Sequence, residues 1–197
     1  MPRLFVALEM PSDVALSLSL LRGGLPGAKW IDTEKYHLTL RFIGDIDAHM
    51  ADELFYTLDH VQCPEFSLQL SGMGAFGSKK PRYVWAGVNA PQELYTLQSA
   101  IERQCTKIGL KPESRKFTPH ITLASVKGAD RSIIGQYLGA RGNFKSKEFK
   151  VGNFVIMSSR NSTGGGPYVV EETYPLAENY QEVSFSNNLE QPLSSIW

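Results

Sequence analysis

Apolar and polar positions alternate with two different periods along the chain, and the switches between them outline its elements. Arg3 to Met10 carries a continuous apolar run, Leu4 to Leu8, and predicts a buried first strand. Pro11-Ser12-Asp13 then opens a helix with Val14, Leu18 and Leu21 on one face, ended by Gly23-Gly24. Trp30-Ile31 predicts a short strand edge, and Tyr36 to Ile43 a strand stopped by Gly44. A second helix is predicted over about 47–61, with Met50, Leu54 and Leu58 at helical spacing. A half-buried strand over Phe66 to Leu70 follows, then a glycine-rich loop from Gly72 to Pro81 and a strand from Arg82 to Val88. Pro91 opens a long helix carrying Leu94, Leu97, Ile101 and Ile108 inward, closed by Gly109. After a polar connection, Lys111 to Lys116, come a strand over Phe117 to Val126 and a short helix over Asp130 to Leu138. Strands over Glu148 to Met157 and Tyr168 to Tyr174 flank a turn at Asn161 to Gly166.

Two of these strands carry a tetrad that reads His, apolar, Thr, apolar: His37-Leu38-Thr39-Leu40 and His120-Ile121-Thr122-Leu123. Successive strand side chains point to opposite faces, so His and Thr share one face and the aliphatic residues take the other. The segments around the tetrads also repeat. Arg3 to Leu8, Pro11, a helix and the first tetrad match Arg82 to Gly87, Pro91, a helix and the second. Phe66 to Met73 resembles Phe149 to Met157. The repeat predicts two similar α+β halves about a pseudo-two-fold axis that brings the tetrads face to face.

Composition narrows the class. The 197 residues, 42% hydrophobic and 20% charged, suit one large domain or two small lobes sharing a cleft, and 20 basic residues against 20 acidic give no global attraction for duplex DNA or a membrane surface. Contact with nucleic acid then rests on local patches, Lys79, Lys80 and Arg82 first and Arg115-Lys116 second. Leu4 to Leu8 is too short for a signal peptide and no segment has the length of a membrane span, which predicts a cytoplasmic protein. Cys63 and Cys105 show no metal-ligand spacing and read as buried, reduced thiols. The polar tail over 178–197 lies outside the expected domain, 1–177.

Two imidazoles facing one anion suit proton removal and proton delivery near neutral pH. Attack of water on a phosphodiester needs both roles at once, on opposite sides of phosphorus. The hydroxyls of Thr39 and Thr122 would donate to the non-bridging oxygens. Neither tetrad offers the carboxylate or extra His of a zinc or two-metal site, so no metal and no cofactor is expected. His49 and His60 read as solvated helix residues. A strained 2′,3′-cyclic phosphate is a natural substrate. A non-catalytic binder of RNA ends, or an enzyme for another small cyclic or 2′-5′ phosphodiester, would use the same residues.

The paired tetrads resemble the signature of the two-histidine phosphoesterase superfamily. Arg3 to Ala7, Arg41-Phe42-Ile43-Gly44, Phe117-Thr118-Pro119 and Gly166-Pro167-Tyr168 narrow the resemblance to the LigT-like RNA 2′,3′-cyclic phosphodiesterases, also called 2′-5′ RNA ligases. It covers about Arg3 to Leu176. It implies a bilobal α+β fold, two pseudo-symmetric antiparallel-sheet lobes with helices outside and a central cleft. It also implies metal-independent hydrolysis of an RNA terminal 2′,3′-cyclic phosphate to a 2′-phosphate, by a monomer acting on RNA 3′ ends or small cyclic nucleotides. By the same resemblance His37 is the proton donor and His120 the proton acceptor. Family members often carry Arg two positions after the second tetrad, where this chain has Ser125. Lys127, on the same side of the strand as Ser125, is the expected source of part of the missing charge. Arg41, placed on the Thr39 face by strict alternation, is a second expected phosphate contact, with Arg82 beyond it. Phe42, Tyr36, Phe117 and Tyr168 are candidate stacking surfaces for a base, Tyr168 foremost.

Overall fold

The computed structural model describes residues 3–77, 80–128, 130–159 and 168–178. Lys79, the turn at 161–166 and the tail beyond 178 lie outside the described residues. Nine strands and four α-helices are found among those described: β1 (Arg3–Glu9), α1 (Ser12–Ser19), β2 (Ala28–Trp30), β3 (His37–Gly44), α2 (Ala48–Leu58), β4 (Phe66–Phe76), β5 (Tyr83–Asn89), α3 (Gln92–Lys107), β6 (His120–Val126), α4 (Arg131–Arg141), β7 (Phe149–Val151), β8 (Asn153–Ser159) and β9 (Tyr168–Pro175).

The strands form two sheets, ordered β3-β1-β8-β9 and β2-β6-β5-β4-β7, and every pairing within them is antiparallel. Three strands of each correspond, β3-β1-β8 with β6-β5-β4, as the internal repeat predicts. The halves nonetheless exchange parts. β4 follows the first tetrad but joins the second sheet, and β8 follows the second tetrad but joins the first.

Helices are exchanged too. α2 and α3 bury Leu54, Leu58, Leu94, Leu97 and Ile101 with Leu4, Val6, Leu38 and Leu40, on the outer face of the first sheet. α1 buries Val14, Ala15 and Leu18 with Leu70, Ala86, Ile121 and Leu123, on the outer face of the second. α4 sets Ile134 and Tyr137 on the same sheet with Val84 and Val126. The expected arrangement of two antiparallel sheets, helices outside and a cleft between is the one observed. The exchange interlocks the lobes: α1 leaves the first sheet to cover the second, and α3 leaves the second to cover the first.

Helix starts follow capping chemistry. The Asp47 carboxylate accepts from the Met50 amide at 2.8 Å, and that of Asp130 from the Ser132 amide at 2.7 Å, satisfying N–H groups the first turn leaves unpaired.

Three strand boundaries differ from the sequence reading. The strand expected over Phe117 to Val126 begins at His120, after Pro119, which has no N–H to give a ladder. Gly72 to Phe76, read as loop, continues β4, because Gly72 takes a positive φ of 76° at a register shift between Leu70 and Met73 and the strand then resumes pairing with β5. The stretch read as one strand over 148–157 is two: it breaks at Gly152, so that β7 pairs with β4 in one sheet and β8 with β1 in the other.

Candidate active site

β3 is the outer strand of its sheet, and β2 covers only the C-terminal half of β6, Ala124 to Val126. The His120 end of β6 therefore lies free of β2, and β3 and β6 approach within 8 Å between Cα atoms. The cleft runs between these two strands. Along both, the four tetrad positions and the residue after them have the same burial: His and Thr partly exposed, the other three buried.

Each imidazole is held the same way. His37 Nδ1 lies 2.8 Å from the Lys35 carbonyl, and His120 Nδ1 lies 2.6 Å from that of Thr118. A carbonyl only accepts, so both Nδ1 atoms carry a proton and donate it. Nε2 of each ring is left to take or give a proton. The local cause is the residue before each His. Tyr36, at φ −69°, and Pro119, fixed by its ring, direct the chain so that the carbonyl two residues back meets the ring.

Aromatic rings hold the other faces. His37 sits between Phe5, with centroids 4.9 Å apart, and Tyr168, edge-on at 5.1 Å. His120 sits between Phe76, edge-on at 4.7 Å, and Trp85 at 6.1 Å. Trp85 owes its place to Gly74, its cross-strand partner, whose missing Cβ would stand 2.2 Å from the indole.

Burial is the main cause of a lowered pKa at both histidines, since it disfavours the imidazolium. The backbone hydrogen bonds oppose it, and at His37 the charge on His120 adds to it. The folded chain thus prefers both rings neutral, and the unfolded chain binds more protons between each lowered value and the ordinary ~6.5. Stability supplied by this term is complete above ~6.5 and declines as pH falls through that window. Catalysis by one neutral and one protonated ring gives a bell whose limbs are both displaced toward acid. We expect the optimum of kcat/KM below ~6.5 and that of kcat higher, because a bound phosphodiester anion favours imidazolium. A kcat/KM optimum on the alkaline side of ~6.5 would contradict the desolvated pair.

Both tetrads are followed by the same irregularity. Ala7 faces Thr39 while Val6 faces Arg41, and Trp85 faces Thr122 while Val84 faces Ala124, so Leu40 and Leu123 are extra residues in bulges. The bulge reverses the alternation. Arg41 is thereby turned away from the Thr39 face and into the core side, where it is 7% exposed and its Nε lies 2.9 Å from Glu102 Oε2 of α3. This corrects the position that strict alternation gives it. Phe42 and Ser125 take the cleft side instead. Phe42 is 55% exposed, whereas Ala124 and Val126, flanking Ser125, are buried on the opposite face.

The remaining candidates divide. Tyr168 is at the site, against His37. Lys127 and Arg82 are exposed beside the Ser125 end of β6, where the Arg82 carbonyl accepts from the Val126 amide. Tyr36 is buried in the α1 core, and Phe117 packs edge-on to Tyr95 at 6.0 Å, so neither offers a face to a base. His49 is exposed and within 3.5 Å of Glu53, and His60 bonds the Tyr56 carbonyl, both away from the cleft on or beside α2. Cys63 and Cys105 are buried free thiols, with Cys105 pushed up to about 11 by burial and so protonated.

Sequence reasoning missed Lys29. It is the direct cross-strand partner of Ser125 on β2, and Ala28 and Trp30 on either side pack into the core, which leaves Lys29 on the cleft face. Phe5, Phe76 and Trp85 were missed as well. The repeat gave no signal for them: it sets Trp85 against Val6, whereas in the sheets Trp85 faces Thr122 as Ala7 faces Thr39.

The family model for the 2′-5′ RNA ligase superfamily matches residues 11–163. The chain belongs to this superfamily. Proteins named RNA 2′,3′-cyclic phosphodiesterase are similar to it. That of Aeropyrum pernix is 39% identical over 113 residues, 56% of this chain and 64% of its own length. That of Aquifex aeolicus is 32% identical over 152 residues, 74% of this chain and 81% of its own. The superfamily fold is also that of Escherichia coli LigT in its apo form, with a TM-score of 0.74, 23% identity, and coverage of 89% of this chain and 98% of that one. No helix among the described residues is long and apolar enough to cross a membrane.

Proposed function

We propose that the chain hydrolyses the 2′,3′-cyclic phosphate at RNA 3′ ends, and on small cyclic nucleotides, to a 2′-phosphate. One observation carries this reading: two imidazoles, each fixed through Nδ1 to a backbone carbonyl, present Nε2 beside a Thr on two adjoining strands of different sheets. A binding module has no need of matched tautomers, whereas acid–base catalysis does. The names of the similar Aeropyrum and Aquifex proteins support the same substrate.

In this scheme His120 Nε2 takes a proton from water as its oxygen attacks phosphorus. The bond from phosphorus to the 3′-oxygen breaks, and protonated His37 delivers a proton to that oxygen. The 2′-oxygen stays on phosphorus. Thr39 and Thr122 hydroxyls donate to the non-bridging oxygens, whose charge grows in the transition state. Lys29, beside Ser125, adds positive charge on the side where the resemblance expects Arg, with Lys127 and Arg82 farther along that edge. Tyr168 and exposed Phe42 flank the His37 side as base contacts. All four reacting side chains come from one chain, so the scheme works in a monomer and needs no second subunit. The reading takes residues 1–177 as the catalytic unit of a cytoplasmic protein.

The test is incubation with each 2′,3′-cyclic nucleoside monophosphate, with the product isomer assigned by phosphorus NMR. A 2′-phosphate formed equally well in EDTA is the expected result. Absence of turnover would overturn the reading, as would a 3′-phosphate product or activity lost to EDTA and restored by a divalent ion.

A further inference from the structure

Among the described residues Arg41 is the most deeply buried charged side chain, and the acid–base scheme gives it no part. Its guanidinium reaches three groups: Glu102 Oε2 at 2.9 Å, the Lys111 carbonyl at 2.5 Å and Glu113 Oε2 at 3.9 Å. Glu102 does more than balance its charge. Its second oxygen accepts from the Glu113 backbone amide at 2.9 Å. Glu113 in turn bonds the amide and guanidinium of Arg115 at 3.0 to 3.2 Å.

The residues so gripped, Lys111 to Arg115, form the connection from α3 on the first sheet to β6 on the second. That connection continues through Phe117 to Thr118 and Pro119, and the Thr118 carbonyl fixes the His120 tautomer at 2.6 Å. Arg41 stands two residues beyond Thr39 on β3. A single side chain thus ties the strand of one histidine to the approach of the other. Arg is suited to this because its planar fork holds several acceptors at fixed angles.

We propose that Arg41 is a positioning residue, which holds the 111–118 connection to β3 and thereby sets the orientation and tautomer of His120. A direct phosphate contact by Arg41 is the competing account. The bulge at Leu40 speaks against it, since it sends the side chain toward α3.

The two accounts separate in Arg41→Met. Positioning predicts kcat lowered about 10- to 100-fold, the scale of a small misplacement of a reacting group, with KM nearly unchanged. A second readout does not depend on turnover. Imidazole nitrogen NMR of the wild type should show the Nδ1–H tautomer at both histidines when neutral. Arg41→Met should mix the tautomers at His120 and leave His37 as it was, because the Lys35 carbonyl lies outside the gripped connection. Should burial of an unpaired Glu102 unfold that variant, Arg41→Met with Glu102→Met removes both charges and takes the same two measurements. The inference is overturned by a raised KM at unchanged kcat, or by a His120 spectrum identical to the wild type. It rests on the proposed acid–base reading only for the kcat measurement. An inactive wild type would sink that reading and leave the tautomer result to decide this one.

Discussion

Replacement of either His37 or His120 by alanine is expected to lower kcat by about 10²–10⁴-fold, with the fold intact. The size follows from the positions of the rings. Each presents Nε2 to the cleft, and each is the one proton carrier on its side of the reacting phosphorus in the proposed scheme. The stability effect should be small or even favourable near pH 6, because each variant deletes a partly buried imidazole that resists protonation. Groups that act as a unit lose their effect together, so the double variant should be little slower than the worse single one. Thr39→Ala and Thr122→Ala remove one donor each and should cost less than either histidine. Steady-state kinetics on a 2′,3′-cyclic nucleotide, with circular dichroism to verify folding, checks all of these. Near-normal kcat in a folded histidine variant would remove the paired-imidazole mechanism.

Gly74→Val is expected to lose about 1–3 kcal/mol of stability and to lower kcat about 10- to 100-fold, although residue 74 touches no substrate in the proposed scheme. A Cβ there would stand 2.2 Å from Trp85 Cζ2 and 2.3 Å from Cη2. Those atoms belong to a rigid indole, so the whole ring must leave its seat. Phe76 lies 5.2 Å from it on one side, and the His120 ring 6.1 Å away on another. Displacing the indole therefore pushes on the group whose angle governs proton transfer. Gly139→Ala in α4 is the control. Its added Cβ meets nothing within 4 Å, and alanine favours helix over glycine by about 1 kcal/mol, so stability should hold or rise with kcat unchanged. Denaturant melts and kinetics on the two variants decide the matter. A Gly74→Val protein with lowered stability and full kcat would show that Trp85 does not support His120.

Element types were largely legible because local chemistry sets them. Asp47 and Asp130 cap helices where a carboxylate meets free amides, and Pro91 opens α3 where a missing N–H does no harm. Gly109 closes that helix at a φ of 89°. The errors fell where pairing overrides local preference. Glycines at 72 and 74 read as loop, yet β5 pairs with that segment and the Trp85 ring occupies the space they leave. Gly152 read as the interior of a strand, yet the chain changes sheets there.

The candidate site divides along the same line. His37, Thr39, His120 and Thr122 were identifiable because two tetrads of one pattern within similar surroundings state a shared face and a shared axis. Arg41 was misplaced by an assumption of unbroken alternation, which a bulge at Leu40 violates. A bulge is a property of two strands in register and has no mark in one of them.

By itself, then, the sequence determined which residue types alternate, where helices begin and end, and that two matching halves each carry an imidazole and a hydroxyl on one strand face. Those follow from side-chain period, capping and backbone freedom, all of which act within a few residues. Only the tertiary structure decided that helices and strands are exchanged between halves, that Lys29 stands beside Ser125, that Trp85 rests on Gly74, and that Arg41 faces Glu102 instead of the cleft. Each of these depends on which distant strand supplies the neighbour and in what register. That choice is made by packing of the whole core, where burial of many side chains at once outweighs any local signal.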